Sequence, residues 1–391
     1  MTSKVQIETL NIGIKANKLD AVCFKIPAGS KTAMVTTKNK YAAAPVIMSK
    51  KNIVQTQPKF LLVNSGNANA CTGKTGAVNA IKCTKYISNK FNCRANEVLM
   101  FSTGIIGKQL PIDSIKKKIN EHKFSFKSSW KSASKTIMTT DKFSKSVSRS
   151  FLIDNSKITI NAICKGAGMI EPNMATMLAF ISIDAKINSI LLNKLLKNIT
   201  NNSFNLISVD GDMSTNDSVV LISTGDNGQI NFNNNSKNFN KLLCELTVVC
   251  QKLSKMIIQD GEGATKVIII NIHKSKNNTE AKTIAYSLAN SNLIKTAMFG
   301  ADPNWGRIIA RLGSIDKITY NPDKVYLKIN NMLIFKNGIQ ARKCDLKLLN
   351  KSMKKNEIVV DVFLNSGNGF HSVMTSDLTH QYVHINSAYT T

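Results

Sequence analysis

The sequence predicts a mixed α/β protein, and its 391 residues suffice for one large body or two subdomains. Short apolar runs at 60–63, 98–102, 177–183 and 267–272, most bounded by polar, glycine-punctuated loops, read as buried strands. Longer stretches at 189–202 and 239–258 repeat apolar residues at helical spacing instead. No run of eighteen apolar residues occurs, so no membrane-spanning helix is expected. Residues 1–6 carry no apolar signal core, which predicts a cytoplasmic protein.

In chain order, 21–27 and 32–37 read as strands, followed by a further short apolar stretch, 42–46. The strand at 60–63 runs into a polar, glycine-punctuated loop, 64–73, the usual place for a site in an α/β fold. Residues 75–91 read as a helix with Val78, Ile81, Cys83 and Ile87 toward one face. The strand at 98–102 ends in Thr103-Gly104, where a free N–H beside a hydroxyl would suit an oxyanion. Helices are expected at 111–121 and 129–138, then a hairpin, 150–153 with 158–164, turning on 154–157. The helix at 189–202 should bury Ile190, Leu191, Leu195 and Ile199. A strand at 218–223 and an Asn-rich surface loop at 225–236 precede the long helix. Beyond 267–272 come a helix at 279–290, a helix near Trp305 capped by Asn304, and strands at 325–329, 332–335 and 358–364.

The stretch on which the chain turns is 165–184, KGAGMIEPNMATMLAFISID. A turn-like Glu171-Pro172-Asn173 leads to Met174-Ala175-Thr176 and then directly to an apolar strand. A small hydroxyl residue thus stands where a loop enters a rigid strand, a good address for a nucleophile. Strand propensity alone also accounts for a Thr there. The stretch resembles the signature of the ornithine acetyltransferase (ArgJ) family, KG-small-GMI-x-PNMATML. The resemblance implies self-cleavage between Ala175 and Thr176, giving chains 1–175 and 176–391, with Thr176 as N-terminal nucleophile.

The same resemblance extends over nearly the whole chain in ordered motifs. Residues 102–111 match STG-[VI]-IG-x-x-LP, which implies that Thr103 and Gly104 form the oxyanion hole. TTDKFSK, 139–145, is similar to TTDT-x-PK but departs at Lys142 and Ser144; Thr139 would contact substrate. Residues 203–217 resemble SFN…VDGD-x-STND, and 260–266 match D-x-EGATK, making Glu262, otherwise an exposed turn acid, a substrate-binding residue. Residues 294–308 resemble LVKTA…G-x-DPNWGRI. The C-terminus resembles DLT-x-x-YV-x-INA-x-Y-x-T, so Asn386 and Thr391 would bind substrate, with departures at 374–376 and Ser387. Lys165 would meet the substrate α-carboxylate. The implied fold is a layered α-β-β-α core like that of N-terminal-nucleophile hydrolases, with a C-terminal α/β subdomain. The implied assembly is an α2β2 heterotetramer.

The chemistry follows from a need. A neutral hydroxyl requires a base, and no convincing Ser-His-Asp order appears. An α-amine, with an ordinary pKa of about 7.7–8.0, can serve, but exists at Thr176 only after cleavage. The expected reaction carries acetyl from N-acetylornithine through acetyl-Thr176 to glutamate, without a cofactor and with acetyl-CoA as a second donor. A self-processed aminopeptidase or amidase, with water as acceptor, is the alternative.

The formal net charge of +28 invites a nucleic-acid reading. The Lys are spread along the chain, Arg occurs only at 94, 149, 307, 311 and 342, and no aromatic-interleaved basic stripe appears, so no specific nucleic-acid partner is expected. The eight Cys show no C-x-x-C spacing, and reduced structural thiols are expected. His380 and His384 would form a metal pair on a helix, but their surroundings, YVHIN, read as strand. The loop 209–217 lacks the twelve-residue calcium pattern and its closing Glu, so no metal is expected.

Overall fold

The computed structural model describes residues 4–171, 177–227, 232, 236–316, 318–342 and 344–388. The described residues divide into two compact units, one drawn from 4–205 and 213–257 and the other from 206–212 and 258–388.

The first unit begins with β1 (Gln6–Leu10), β2 (Ala21–Lys25), β3 (Lys31–Thr36) and α1 (Ala44–Gln55). Next come β4 (Phe60–Asn67), α2 (Gly73–Lys90), β5 (Val98–Ile105), α3 (Ile112–Glu121) and α4 (Trp130–Thr136). β6 (Lys145–Ile153) and β7 (Ser156–Lys165) form the expected hairpin. It turns on Asp154 and Asn155, both left-handed at φ 46° and 62°, residues that tolerate that conformation. β8 (Leu178–Ala185), α5 (Ser189–Asn201), the short β9 (Ile207–Ser208) of the second unit, β10 (Ser218–Asn227) and α6 (Lys237–Gln259) follow.

Two sheets make the first unit's core. One has the order β1-β2-β4-β5, the other β3-β10-β8-β7-β6. Their facing sides supply one apolar cluster: Phe24, Leu61, Val63 and Phe101 meet Ile163, Phe180, Val220 and Ile222. Phe180 stacks on Phe24 and meets Phe101 edge-on, with ring centroids 5.2 and 5.3 Å apart. The back of the first sheet is covered by Ala80, Cys83 and Ile87 of α2 and Ile115 and Ile119 of α3. On the second sheet's side, α5 packs against β3 and β10, while the Cys164 thiol of β7 faces the Leu253 carbonyl of α6. This is the expected α-β-β-α layering. Leu178 of β8 lies opposite Lys165 of β7, so both sides of the 172–176 segment belong to one sheet.

The second unit continues with β11 (Val267–Ser275), α7 (Asn278–Ala289), α8 (Asn292–Phe299), α9 (Trp305–Gly313), β12 (Tyr326–Ile329), β13 (Met332–Lys336), β14 (Ile339–Gln340), α10 (Leu346–Met353), β15 (Glu357–Phe363), β16 (Gly369–Ser376) and α11 (His380–Ala388). Its sheet runs β14-β13-β12-β15-β11-β16-β9. Side chains of β11, β12 and β15 share one core with α7 to α10, the expected C-terminal α/β subdomain.

Several expectations need correction. The stretch 42–46 opens α1, with Pro45 in the first turn, where its missing N–H costs nothing. β1 was not read from the sequence; it shows only in its antiparallel pairing with β2. In α2, Val78 and Ile81 are exposed; the buried face is Gly76, Asn79, Ala80, Cys83, Thr84, Ile87 and Ser88. Ile190, in the first turn of α5, is 83% exposed while Leu191, Leu195 and Ile199 are buried. YVHIN is helical, not a strand, so His380 and His384 do stand one turn apart on α11, both exposed. Among the described residues no three His, Cys, Asp or Glu side chains converge as metal ligands. None of the eight Cys is in a disulfide; Cys23, Cys83, Cys164 and Cys250 are buried, and burial raises the thiols of Cys23, Cys83, Cys250 and the half-buried Cys93 and Cys344.

Candidate active site

In the first unit, β4 and β5 run parallel with Ser65 opposite Thr103 and Gly66 opposite Gly104. Thr103 and Gly104 therefore end a strand rather than sit in a loop. Gly104 has φ +130°, and a Cβ there would stand 2.3 Å from the Gly66 carbonyl carbon and 2.5 Å from the Asn67 nitrogen. Only glycine allows that approach. The close contact is to the neighbouring strand.

Beneath this strand end lies a buried polar network. Asn216 Nδ2 donates to the Ser102 carbonyl at 2.8 Å and to the Ala68 carbonyl at 2.6 Å. Ser102 Oγ donates to Asn64 Oδ1, and Asn64 Nδ2 donates to the Asn67 carbonyl. These bonds satisfy groups that would be costly to bury alone and hold the strand ends in register.

Lys165, the last residue of β7, places its Nζ 3.1 Å from Thr103 Oγ1. Asp141 organises the approach to both. Its Oδ1 accepts from the Gly166 amide at 2.8 Å and from Lys145 Nζ at 2.7 Å; its Oδ2 accepts from the Thr139 amide at 2.9 Å. Burial alone would raise the Asp141 pKa. The Lys165 and Lys145 ammoniums and the hydrogen bonds overcome it and hold the carboxyl at about 2. Thr139, Lys165, Thr103 and Gly104 thus belong to one connected framework. The departures at Lys142 and Ser144 fall on exposed and half-buried positions, while Asp141 and Lys145 keep the loop's interior.

In the second unit, Glu262 is buried at 8% exposure, not the exposed turn acid of the sequence reading. Asn386 Nδ2, on α11, donates to Glu262 Oε2 at 3.0 Å. Gly263 makes this possible: at φ +71°, a Cβ there would meet the Tyr382 amide nitrogen at 2.4 Å. Burial, then the charges of Asp210, Glu262 and Asp212, push the Tyr382 hydroxyl up to about 12. Lys295, 3% exposed, donates to the Val209 carbonyl at 2.6 Å and to Thr375 and Ser376 hydroxyls at 3.1 and 3.4 Å. Two of the three departures at 374–376 therefore supply acceptors to a buried ammonium, whose pKa burial lowers to about 8.

Ala175, Thr176 and Thr391 lie outside the described residues. Sequence reasoning passed over Asp141, Lys145, Asn216 and Lys295 as individual residues. Their signal was present only as places within motifs.

The model of the ArgJ family matches residues 6–391. The chain belongs to the ArgJ family. Two curated ArgJ relatives, each named arginine biosynthesis bifunctional protein ArgJ, illustrate the similarity. That of Pseudomonas fluorescens is 38% identical over 97% of this chain and 94% of its own length. That of Lactococcus lactis is 38% identical over 98% and 96%. A crystal structure of arginine biosynthesis bifunctional protein ArgJ from Bacillus halodurans superposes with a TM-score of 0.52 at 34% identity, covering 55% of this chain and all of that one. Among the described residues no ArgJ helix here is long and apolar enough to cross a membrane.

Proposed function

We propose that the chain cleaves itself between Ala175 and Thr176 and then moves acetyl from N2-acetylornithine to glutamate through an acetyl-Thr176 ester. Membership of the ArgJ family makes it an acetyltransferase of arginine biosynthesis, acting on small molecules. The observation that carries the finer reading is the match over residues 6–391, across the unaltered Ala175-Thr176 pair.

Cleavage begins when the Thr176 hydroxyl attacks the Ala175 carbonyl and the acyl group shifts from nitrogen to oxygen; water then hydrolyses the ester. The freed α-amine is the base. It takes the Thr176 hydroxyl proton as Oγ attacks the acetyl carbonyl of acetylornithine, with Thr103 and the Gly104 amide holding the oxyanion. The proton passes to the leaving amine and ornithine departs. Glutamate's amine then attacks the ester, loses a proton to the same base, and leaves as N-acetylglutamate with Thr176 restored. Lys165 meets the α-carboxylate common to donor and acceptor. Thr139, Glu262, Asn386 and Thr391 take the substrate-binding roles of the matching motifs. No cofactor enters, and acetyl-CoA serves as a second acetyl donor.

After the cut, chains 1–175 and 176–391 stay joined because β7 and β8 remain ladder partners. Two copies of each form the α2β2 assembly, in the cytoplasm. Intact mass under denaturing conditions tests the cut: two fragments meeting at residue 176 are expected, rather than one species of 42.9 kDa. Thr176→Val should remain one chain and lose acetyl exchange. Full exchange by that variant, or release of free acetate in place of acetylglutamate by the wild type, overturns the reading.

A further inference from the structure

One lysine outside every motif discussed above stands inside the first unit's framework. The buried Asp20 carboxylate accepts from the amides of Ile12 and Ile14, both at 2.6 Å, and of Lys15 at 2.8 Å. That carboxylate fixes the turn which aims Lys15. The Lys15 stem lies across β4, such that a Cβ on Gly66 would meet its Cγ at 3.2 Å and its Cε at 3.3 Å. Its ammonium donates to Ser65 Oγ and to the Met138 carbonyl, each at 2.7 Å. Ser65 Oγ in turn donates to the Thr136 carbonyl at 2.7 Å.

The three segments so joined are distant in sequence and adjacent to the proposed chemistry. Ser65 lies opposite Thr103, and Gly66 opposite Gly104. Met138 immediately precedes Thr139. Burial and the nearby Lys165 ammonium lower the Lys15 pKa, while Asp20 and Asp141 oppose them, so Lys15 and Lys165 feel each other's charge.

We propose that Lys15 is a positioning residue of the acetyl-transfer site, its ammonium holding the Thr103–Gly104 strand end and Thr139 in one frame. The proposal rests on the acetyl-transfer reading above. An oxyanion donor works only where it is preorganised, and a displacement of about 1 Å can cost on the order of 100-fold in rate. Lys15 crosslinks the two segments whose relative shift would produce such a displacement.

The test uses the full chain as wild type, Lys15→Met, Lys15→Arg, Ser65→Ala and the Lys15→Met/Ser65→Ala double variant. Acetyl transfer from N-acetylornithine to glutamate gives kcat and KM, and amide hydrogen exchange is followed at 102–105 and 138–141. Lys15→Met should lower kcat about 10- to 100-fold, with faster exchange in both segments. Lys15→Arg, which keeps a charged donor, should recover part of kcat. The two single effects should be non-additive, because they break one shared contact. A Lys15→Met enzyme with wild-type kcat and wild-type exchange overturns the proposal, as do strictly additive effects. If Lys15→Met does not fold, Ser65→Ala decides: a several-fold fall in kcat supports the clamp, and an unchanged kcat refutes it. A wild type that transfers no acetyl refutes the functional reading instead, and the exchange data still report whether Lys15 sets the frame.

Discussion

Replacing Asp141 by Asn tests the framework most directly. Asp141 and Lys145 are 1% and 0% exposed at the side chain and 2.7 Å apart. Neutralising the carboxylate leaves the Lys145 ammonium buried without its counter-charge, which costs about 3–5 kcal/mol. Part of that is titratable. The Asp141 pKa falls from an ordinary 3.8 to about 2, and at about 1.4 kcal/mol per pH unit this is worth on the order of 2 kcal/mol. A depressed carboxyl pKa stabilises the fold above its unfolded value. The contribution is therefore intact above about pH 4 and is lost as pH falls toward 2. Urea unfolding followed by circular dichroism measures both quantities. Asp141→Asn should lose the stated stability at pH 7 and show a flatter acid limb than the wild type. Asp141→Asn with Lys145→Met should recover much of the loss, because a buried pair replaced by apolar groups is often neutral. An Asp141→Asn protein as stable as the wild type, or a double variant no better than the single, refutes the argument.

Other consequences are as specific. Gly104→Ala forces a Cβ into the Gly66–Asn67 backbone, so it should part β4 from β5 and abolish acetyl transfer; a crystal structure with the Gly66–Gly104 approach unchanged would contradict this. Glu262→Gln should raise KM for acetylornithine or glutamate several-fold, and unchanged constants for both would remove Glu262 from the binding residues. Lys295, lowered to about 8, keeps its proton less readily folded than unfolded. Its contribution to stability therefore rises between about pH 8 and 10.5; the gap between the wild-type and Lys295→Met curves should change in that window, and a constant gap would refute it. Asn188→Ala removes the side-chain acceptor for the Leu191 amide at the start of α5 and should cost about 1 kcal/mol in a thermal melt.

Much of the fold was legible because its signals are local. Apolar runs became β4, β5, β8 and β11, and α5 and α6 span the stretches that helical periodicity marked. The misreadings arose where the deciding partner is remote. Val78 and Ile190 have the chemistry of core residues, but the faces of α2 and α5 that bury are chosen by the sheets beneath them. The segment YVHIN is β-branched and aromatic, yet α11 forms where Gly263 admits its first turn and Thr379 Oγ1, which donates to the Gly263 carbonyl, holds it there.

The sequence by itself determined most of the first unit's strands and helices, the motif set and hence the family, since each is a pattern along one stretch of chain. Beyond Lys165, it could not say which of the 52 basic side chains matter. Lys15 and Lys295 look like any other lysine until folding removes water from around them and sets specific acceptors against their ammonium groups. That selection belongs to the tertiary structure, because the cost of burying a charge depends on neighbours that lie tens to more than a hundred residues away.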